Sequence, residues 1–111
     1  MATNRFHDVE PLCAPDFVME WPQSGERIRG GENFARMNAQ YPAHGRWRFR
    51  INRLLADGTS VVTQVSVTDG VQSAEPISFF RVEHGQIVTL TEYWPEPFEA
   101  RQNRRDLIEP R

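Results

Sequence analysis

"RWRFRINRLLADGTSVVTQVSVTDGVQSAEPISFFRVEHGQIVTLTEYW", residues 46–94, decides the fold. Trp47, Phe49 and Ile51 alternate with Arg48, Arg50 and Asn52, and the later segments repeat that rhythm. A period of two marks strands with one face buried. Asp57-Gly58 is a hairpin signal, because glycine takes up positive φ at no steric cost. A second Asp-Gly at 69–70 opens a longer connection, and His84-Gly85-Gln86 turns the chain again. The stretch predicts four strands joined by glycine-containing turns, an antiparallel meander.

Upstream, "DFVMEWP" (16–22) sets Phe17, Met19 and Trp21 against Val18 and Glu20, which predicts a half-buried strand. "QSGERIRGG" (23–31) turns and returns as a short second strand closed by Gly30 and Gly31. "ENFARMNAQYP" (32–42) puts Phe34, Met37, Asn38 and Tyr41 on one helix face, with Pro42 ending the helix. A short helix limited by Pro11 is expected over 4–13. Beyond Pro97 the chain is rich in Arg and Glu, with few apolar anchors (Phe98, Leu107, Ile108), and is expected to fray or to form a partial helix. The fold class is therefore α+β, a cone-shaped curved antiparallel sheet with helices packed on its concave face. Residues 1–97 form the domain and 98–111 a charged tail. A concave face only partly covered by helices leaves a cone-shaped cavity, a natural small-molecule site.

Composition narrows the function. The chain has 111 residues, enough for one core and not for two. A net charge of −2 gives no electrostatic case for nucleic acid or an anionic membrane. Cys13 is the single cysteine, so no internal disulfide forms. His7, His44 and His84 have no close cysteine or histidine partner, and no metal and no cofactor are implied. The opening "MATNRFHDVEPLC" has no apolar core of a signal peptide, and no stretch is apolar enough to span a bilayer. The expected location is the cytoplasm.

"DFVMEWPQSGERIRGGENF", followed by the meander and "EHGQIVTLTEYW", resembles the nuclear transport factor 2-like superfamily over residues 12–97, most of all its SnoaL-like and ketosteroid-isomerase-like branches. The resemblance implies a cone-shaped α+β fold that dimerises through its sheet. It supplies fold more firmly than function, since members include isomerases, cyclases, dehydratases, epoxide hydrolases and non-catalytic modules. The isomerase's own groups do not transfer. Its basic aspartate precedes the proline of the first strand, where this chain has Trp21 before Pro22. Its hydrogen-bonding aspartic acid falls, with one gap, on Ser78. Its tyrosine donor belongs to a long first helix that is mostly missing here. The resemblance thus implies that the protein is not a ketosteroid isomerase. The family's pocket tryptophan falls on Trp94. That turns Val88, Leu90, Glu92 and Trp94 inward, beside Ser78, Phe80 and Val82, provided neither strand is bulged.

Glu92 is the leading catalytic candidate, since a carboxylate between Leu90 and Trp94 on an apolar face suits acid–base work. The alternative is an ion pair with Arg48 or Arg50, or a place at the sheet rim. Ser78 and Tyr41 are candidates for orienting a substrate oxygen. Their plain roles are a polar wall group and a helix-end tyrosine with a wet hydroxyl. Trp21, Phe34, Met37, Phe80, Leu90 and Trp94 would line a site for a small hydrophobic or aromatic ligand; at these spacings they also read as core. Gln64 and Ser66 are pocket groups or exposed, His44 borders the mouth or is solvated, and Arg48 with Arg50 grips an anion or faces a second copy. The expected protein is a homodimer that binds a small hydrophobic molecule, as an isomerase, cyclase or hydratase or as a non-catalytic ligand-binding or dimerisation module.

Overall fold

A computed structural model describes residues 10–40 and 47–110. Its elements run β1 (Cys13–Trp21), β2 (Glu26–Arg29), α1 (Gly31–Gln40), β3 (Arg48–Asp57), β4 (Ser60–Thr68), β5 (Ser73–Ala74), β6 (Ile77–Glu83) and β7 (Gln86–Tyr93). A short 3-10 helix follows at Gln102–Leu107, with no buried residue. The seven strands form one sheet in the order β2-β1-β7-β6-β4-β3, with the two-residue β5 beside β4. The meander is β3, β4, β6 and β7, all antiparallel. β1 joins it in parallel to β7, so the curved sheet is mixed.

Each turn follows from its residues. The β3–β4 hairpin turns through Gly58 at φ 59° and Thr59, between paired Asp57 and Ser60. The β6–β7 hairpin places His84 (φ 52°) and Gly85 (φ 76°) between paired Glu83 and Gln86, two positive φ values in succession as a type I′ turn requires. At the second Asp-Gly, the Asp69 carboxylate accepts from the backbone N–H groups of Val71 and Gln72, both at 2.9 Å. This side-chain turn lets β5 pair with β4 before β6 begins.

β1 starts at Cys13, three residues before the predicted strand, and its pairing with β7 is irregular between Cys13 and Val18. Pro15 lies inside that interval and has no N–H to give the ladder. The helix predicted over 4–13 falls largely outside the described residues; 10–12 form a 3-10 turn. Tyr41, Pro42 and His44, and His7 at the N-terminus, also lie outside them.

Helix α1 covers one face of β1 and β2. Phe17, Met19, Phe34, Ala35, Leu90 and Cys13 form the buried core, with Trp21, Ile28, Met37, Phe80 and Ile87 packed at its margin. The rings of Phe17 and Phe34 sit 5.3 Å apart at a 40° tilt. Apolar residues of β1 and α1 meet here because the strand period of two and the helix period near four each place them on one side. The glycine pair makes the close approach possible. Gly30 has φ 86°, and a Cβ on Gly31 would lie 2.9 Å from Cys13 Cβ and 3.2 Å from the Glu10 carbonyl oxygen. Gly31→Ala is expected to cost about 1–3 kcal/mol by overpacking, read as a lower midpoint in thermal denaturation.

The β6–β7 register shifts between Arg81 and Val82, so Val82 pairs with Ile87. The strand is therefore bulged at Val88. It is Ile87, not Val88, that packs with Phe80 against the core, which corrects the unbulged alternation expected from sequence.

Candidate active site at Glu92

The bulge lies beyond the site. Ser78 pairs with Glu92, and Phe80 with Leu90, so all four share the concave face. The parallel register sets Met19 beside Leu90 and Glu20 beside Thr91, which carries the next residue, Trp21, to the level of Glu92. Trp94 follows the end of β7 two residues on, with the same parity as Glu92.

These four side chains meet at one carboxylate. Glu92 Oε1 accepts the indole N–H of Trp94 at 2.6 Å and that of Trp21 at 3.1 Å. Glu92 Oε2 is 3.2 Å from the Ser78 hydroxyl, which donates to it. Ser78 is buried, while Glu92 and both indoles are partly buried. Among the described residues no arginine lies within ion-pair distance of Glu92; the pairs formed are Arg27–Glu20, Arg36–Glu32, Arg81–Glu83 and Arg105–Glu99. Arg48 and Arg50 pair with Thr68 and Ser66 on the other face of the sheet, so neither neutralises it.

Phe34 and Leu90 are core residues, and Met37 and Phe80 flank the core half-buried. Tyr41 lies outside the described residues. The Ser66 hydroxyl accepts from Asn52 at 2.7 Å on the opposite face, away from Glu92. His84 is the turn residue described above. Burial raises the pKa of the Cys13 thiol, with the Glu10 charge adding to it, which disfavours the thiolate that nucleophilic attack requires. No group of three His, Cys, Asp or Glu among the described residues is arranged to hold a metal. No described helix is long and apolar enough to cross a membrane. A shallow concavity of about 340 Å³ lies on the C-terminal tail between Glu99 and Arg105 and contains no candidate residue.

Sequence reasoning missed Gln23. Its side-chain oxygen accepts the backbone N–H of Trp94 at 2.6 Å, tying the β1–β2 turn to the end of β7. The turn is itself closed by the N–H groups of Ser24 and Gly25 on the Trp21 carbonyl. Trp94 sits past the last ladder pair and before Pro95, so its N–H needs an acceptor. Only the parallel β1–β7 pairing brings Gln23 within reach.

A curved mixed sheet carrying a helix on its concave face defines an α+β protein of the nuclear transport factor 2-like class. Within that class the SnoaL-like domain family matches residues 1–90, and the chain belongs to it. A structure from Kribbella flavida, provisionally named a ketosteroid isomerase, is 34% identical with a TM-score of 0.85, over 95% of this chain and 76% of that one. An NTF-2 like protein of unknown function from Burkholderia xenovorans is 27% identical with a TM-score of 0.77, over 98% and 84%. A Mycobacterium tuberculosis LEH-like epoxide hydrolase is 26% identical with a TM-score of 0.63, over 81% and 70%. No curated protein matches the chain.

Proposed function

We propose that this SnoaL-like protein binds a small hydrophobic or aromatic molecule on the concave face of its sheet and moves a proton with Glu92. The observation that carries the reading is the difference between the two carboxylate oxygens. Oε1 accepts from two indole N–H groups. An indole nitrogen donates and cannot accept, so no proton can sit on Oε1 between them. Oε2 faces the Ser78 hydroxyl, which can donate or accept. Oε2 is therefore the oxygen that takes up a proton and returns it. Ser78 donates to it when it is charged and accepts from it when it is protonated. Meanwhile the indoles hold the carboxylate in one orientation, as a general acid–base group requires. An isomerase, cyclase or hydratase step needs such a group, together with a donor for the substrate oxygen. Tyr41 is the candidate for that donor. Steroid isomerisation is not proposed, because Trp21 stands where the resemblance puts that enzyme's base and an indole cannot serve as one.

A second reading, a non-catalytic ligand-binding or dimerisation module, draws on the same contacts. Three fixed donors on Glu92 also tie β1, β6 and β7 together. The first experiment is a thermal-shift screen against aromatic and polycyclic ketones, phenols, terpenoids and amines, since a ligand that binds only the folded state raises the melting temperature. A reproducible rise with one chemical class supports the binding site. No rise with any class, in a folded protein, transfers the reading to the module.

The convex face supports a homodimer as part of this proposal. Leu55, Val62 and Phe79 form a row across three strands there, with Leu55 69% and Phe79 45% exposed, and Tyr93 meets Phe79 edge-on at 6.0 Å. Exposed apolar patches of this kind mark contact surfaces. Phe79→Glu is expected to convert a dimer into a monomer in sedimentation analysis. An unchanged dimer would place the interface elsewhere.

A further inference from the structure

We infer that the ligand carries a positive charge, as a protonated amine on an apolar body, with its ammonium group paired to Glu92 Oε2. This rests on the reading of the concave face as a ligand site and names the class of molecule that site takes.

The strand register sorts charge by face. Arg48, Arg50 and Arg53 of β3 pair with Thr68, Ser66 and Gln64 of β4. Arg81 of β6 pairs with Ser60 of β4 and Thr89 of β7. Arg27 and Arg29 of β2 pair with Glu20 and Val18 of β1. Every one of these positions lies on the convex face, opposite Met19, Ser78, Leu90 and Glu92. Simple alternation would send Arg53 to the concave side; the β3 irregularity between Ile51 and Arg53 returns it to the convex one. From Phe17 onward, the charged strand residues left on the concave face are Glu26, which pairs with Trp21, and Glu92. On α1 above that face, Arg36 is exposed and bound to Glu32 at 3.1 Å. Among the described strand and α1 residues of the concave side, an anionic ligand thus finds no free cation, whereas a cation finds two strand carboxylates.

Glu92 is the one of the two that is held in place. Its protein partners are neutral donors, and they leave Oε2 with spare accepting capacity. The attraction between an ammonium group and a carboxylate is stronger at a partly buried site, where the effective dielectric is lower, than at an exposed one. The flanking side chains are indoles, the rings that attract ammonium groups most strongly. The apolar body has a place as well. Glu92, Ser78, Thr63 and Leu54 form one row across four strands of the concave face, and Leu54 at its far end is 56% exposed. Three strand spacings set that row at about 14 Å. Ile51, on the same face, is 61% exposed.

The test is calorimetric titration of the full chain with three probes of one shape: 1-adamantanamine, 1-adamantanol and 1-adamantanecarboxylate at neutral pH. The amine is expected to bind at least about tenfold more tightly than the alcohol, with the carboxylate weakest. In Glu92→Gln, whose fold is checked by circular dichroism, the amine is expected to lose that advantage. An alcohol that binds as well as the amine, or a carboxylate that binds better, overturns the charge inference and leaves the ligand site standing. An amine preference that survives in Glu92→Gln overturns the assignment to that carboxylate. Failure of all three probes to bind at millimolar concentration overturns the inference together with the reading beneath it.

Discussion

Glu92→Gln is expected to lower turnover by about 10²–10⁴-fold, the usual worth of a positioned acid–base group, while the fold holds and the ligand's apolar body still binds, without the contribution of any charge it carries. The fold survives because glutamine is nearly isosteric. Its amide oxygen can replace Oε1 beneath the two indole N–H groups, and its NH₂ can donate to the Ser78 hydroxyl. Three hydrogen bonds lose their ionic character, but a neutral amide is also easier to remove from water. The net change is about 1 kcal/mol or less. An amide, however, cannot take up a proton at neutral pH. The measurement pairs steady-state kinetics, on a substrate of the class found by the thermal-shift screen, with a melting curve. Turnover that is unchanged would make Glu92 a structural acceptor and favour the binding module. A large loss of stability alongside lost turnover would show that the charge itself holds the strands together.

Phe17→Ala carries the largest expected loss of stability, about 3–5 kcal/mol. Phe17 is 1% exposed and lies between Met19, Phe34 and Leu90, where α1 packs on the sheet. Truncation removes the contact with the Phe34 ring at 5.3 Å and leaves a cavity lined by side chains that the strand ladder and the helix hold in place. A domain of this size is stable by only about 5–15 kcal/mol. The melting temperature should therefore fall by more than about 12 °C, as followed by circular dichroism. A fall of only a few degrees would mean that α1 shifts to close the cavity. In that case the helix side of the ligand face would be adaptable rather than rigid.

Much of this architecture is legible in the sequence because it is local. The alternation in β1, β4, β6 and β7 and the apolar face of α1 depend on the backbone period, and the hairpins at Gly58 and His84-Gly85 depend on which residues tolerate positive φ. Ser78 and Glu92 share a face although the β7 bulge lies between the turn and Glu92: the two-residue turn at His84-Gly85 alone would set Ser78 opposite Thr91, and the extra residue at the bulge brings Glu92 opposite it. The same alternation failed at Val88, where the bulge exchanges it for Ile87. Nothing in the residues around a bulge announces it. It arises from fitting a twisted strand to its neighbours.

The sequence by itself determined the elements, their turns, and the suspicion that falls on a carboxylate between Leu90 and Trp94. It did not determine that Trp21, 71 positions earlier, would reach that carboxylate. Nor did it determine that Gln23 would hold Trp94, or that Arg53 would join Arg48 and Arg50 on the convex face. Those outcomes depend on the parallel docking of β1 against β7 and on the bulge in β3. Both are settled by long-range packing of whole strands around the Phe17 core, where the free energy of a pairing depends on residues far apart in the chain.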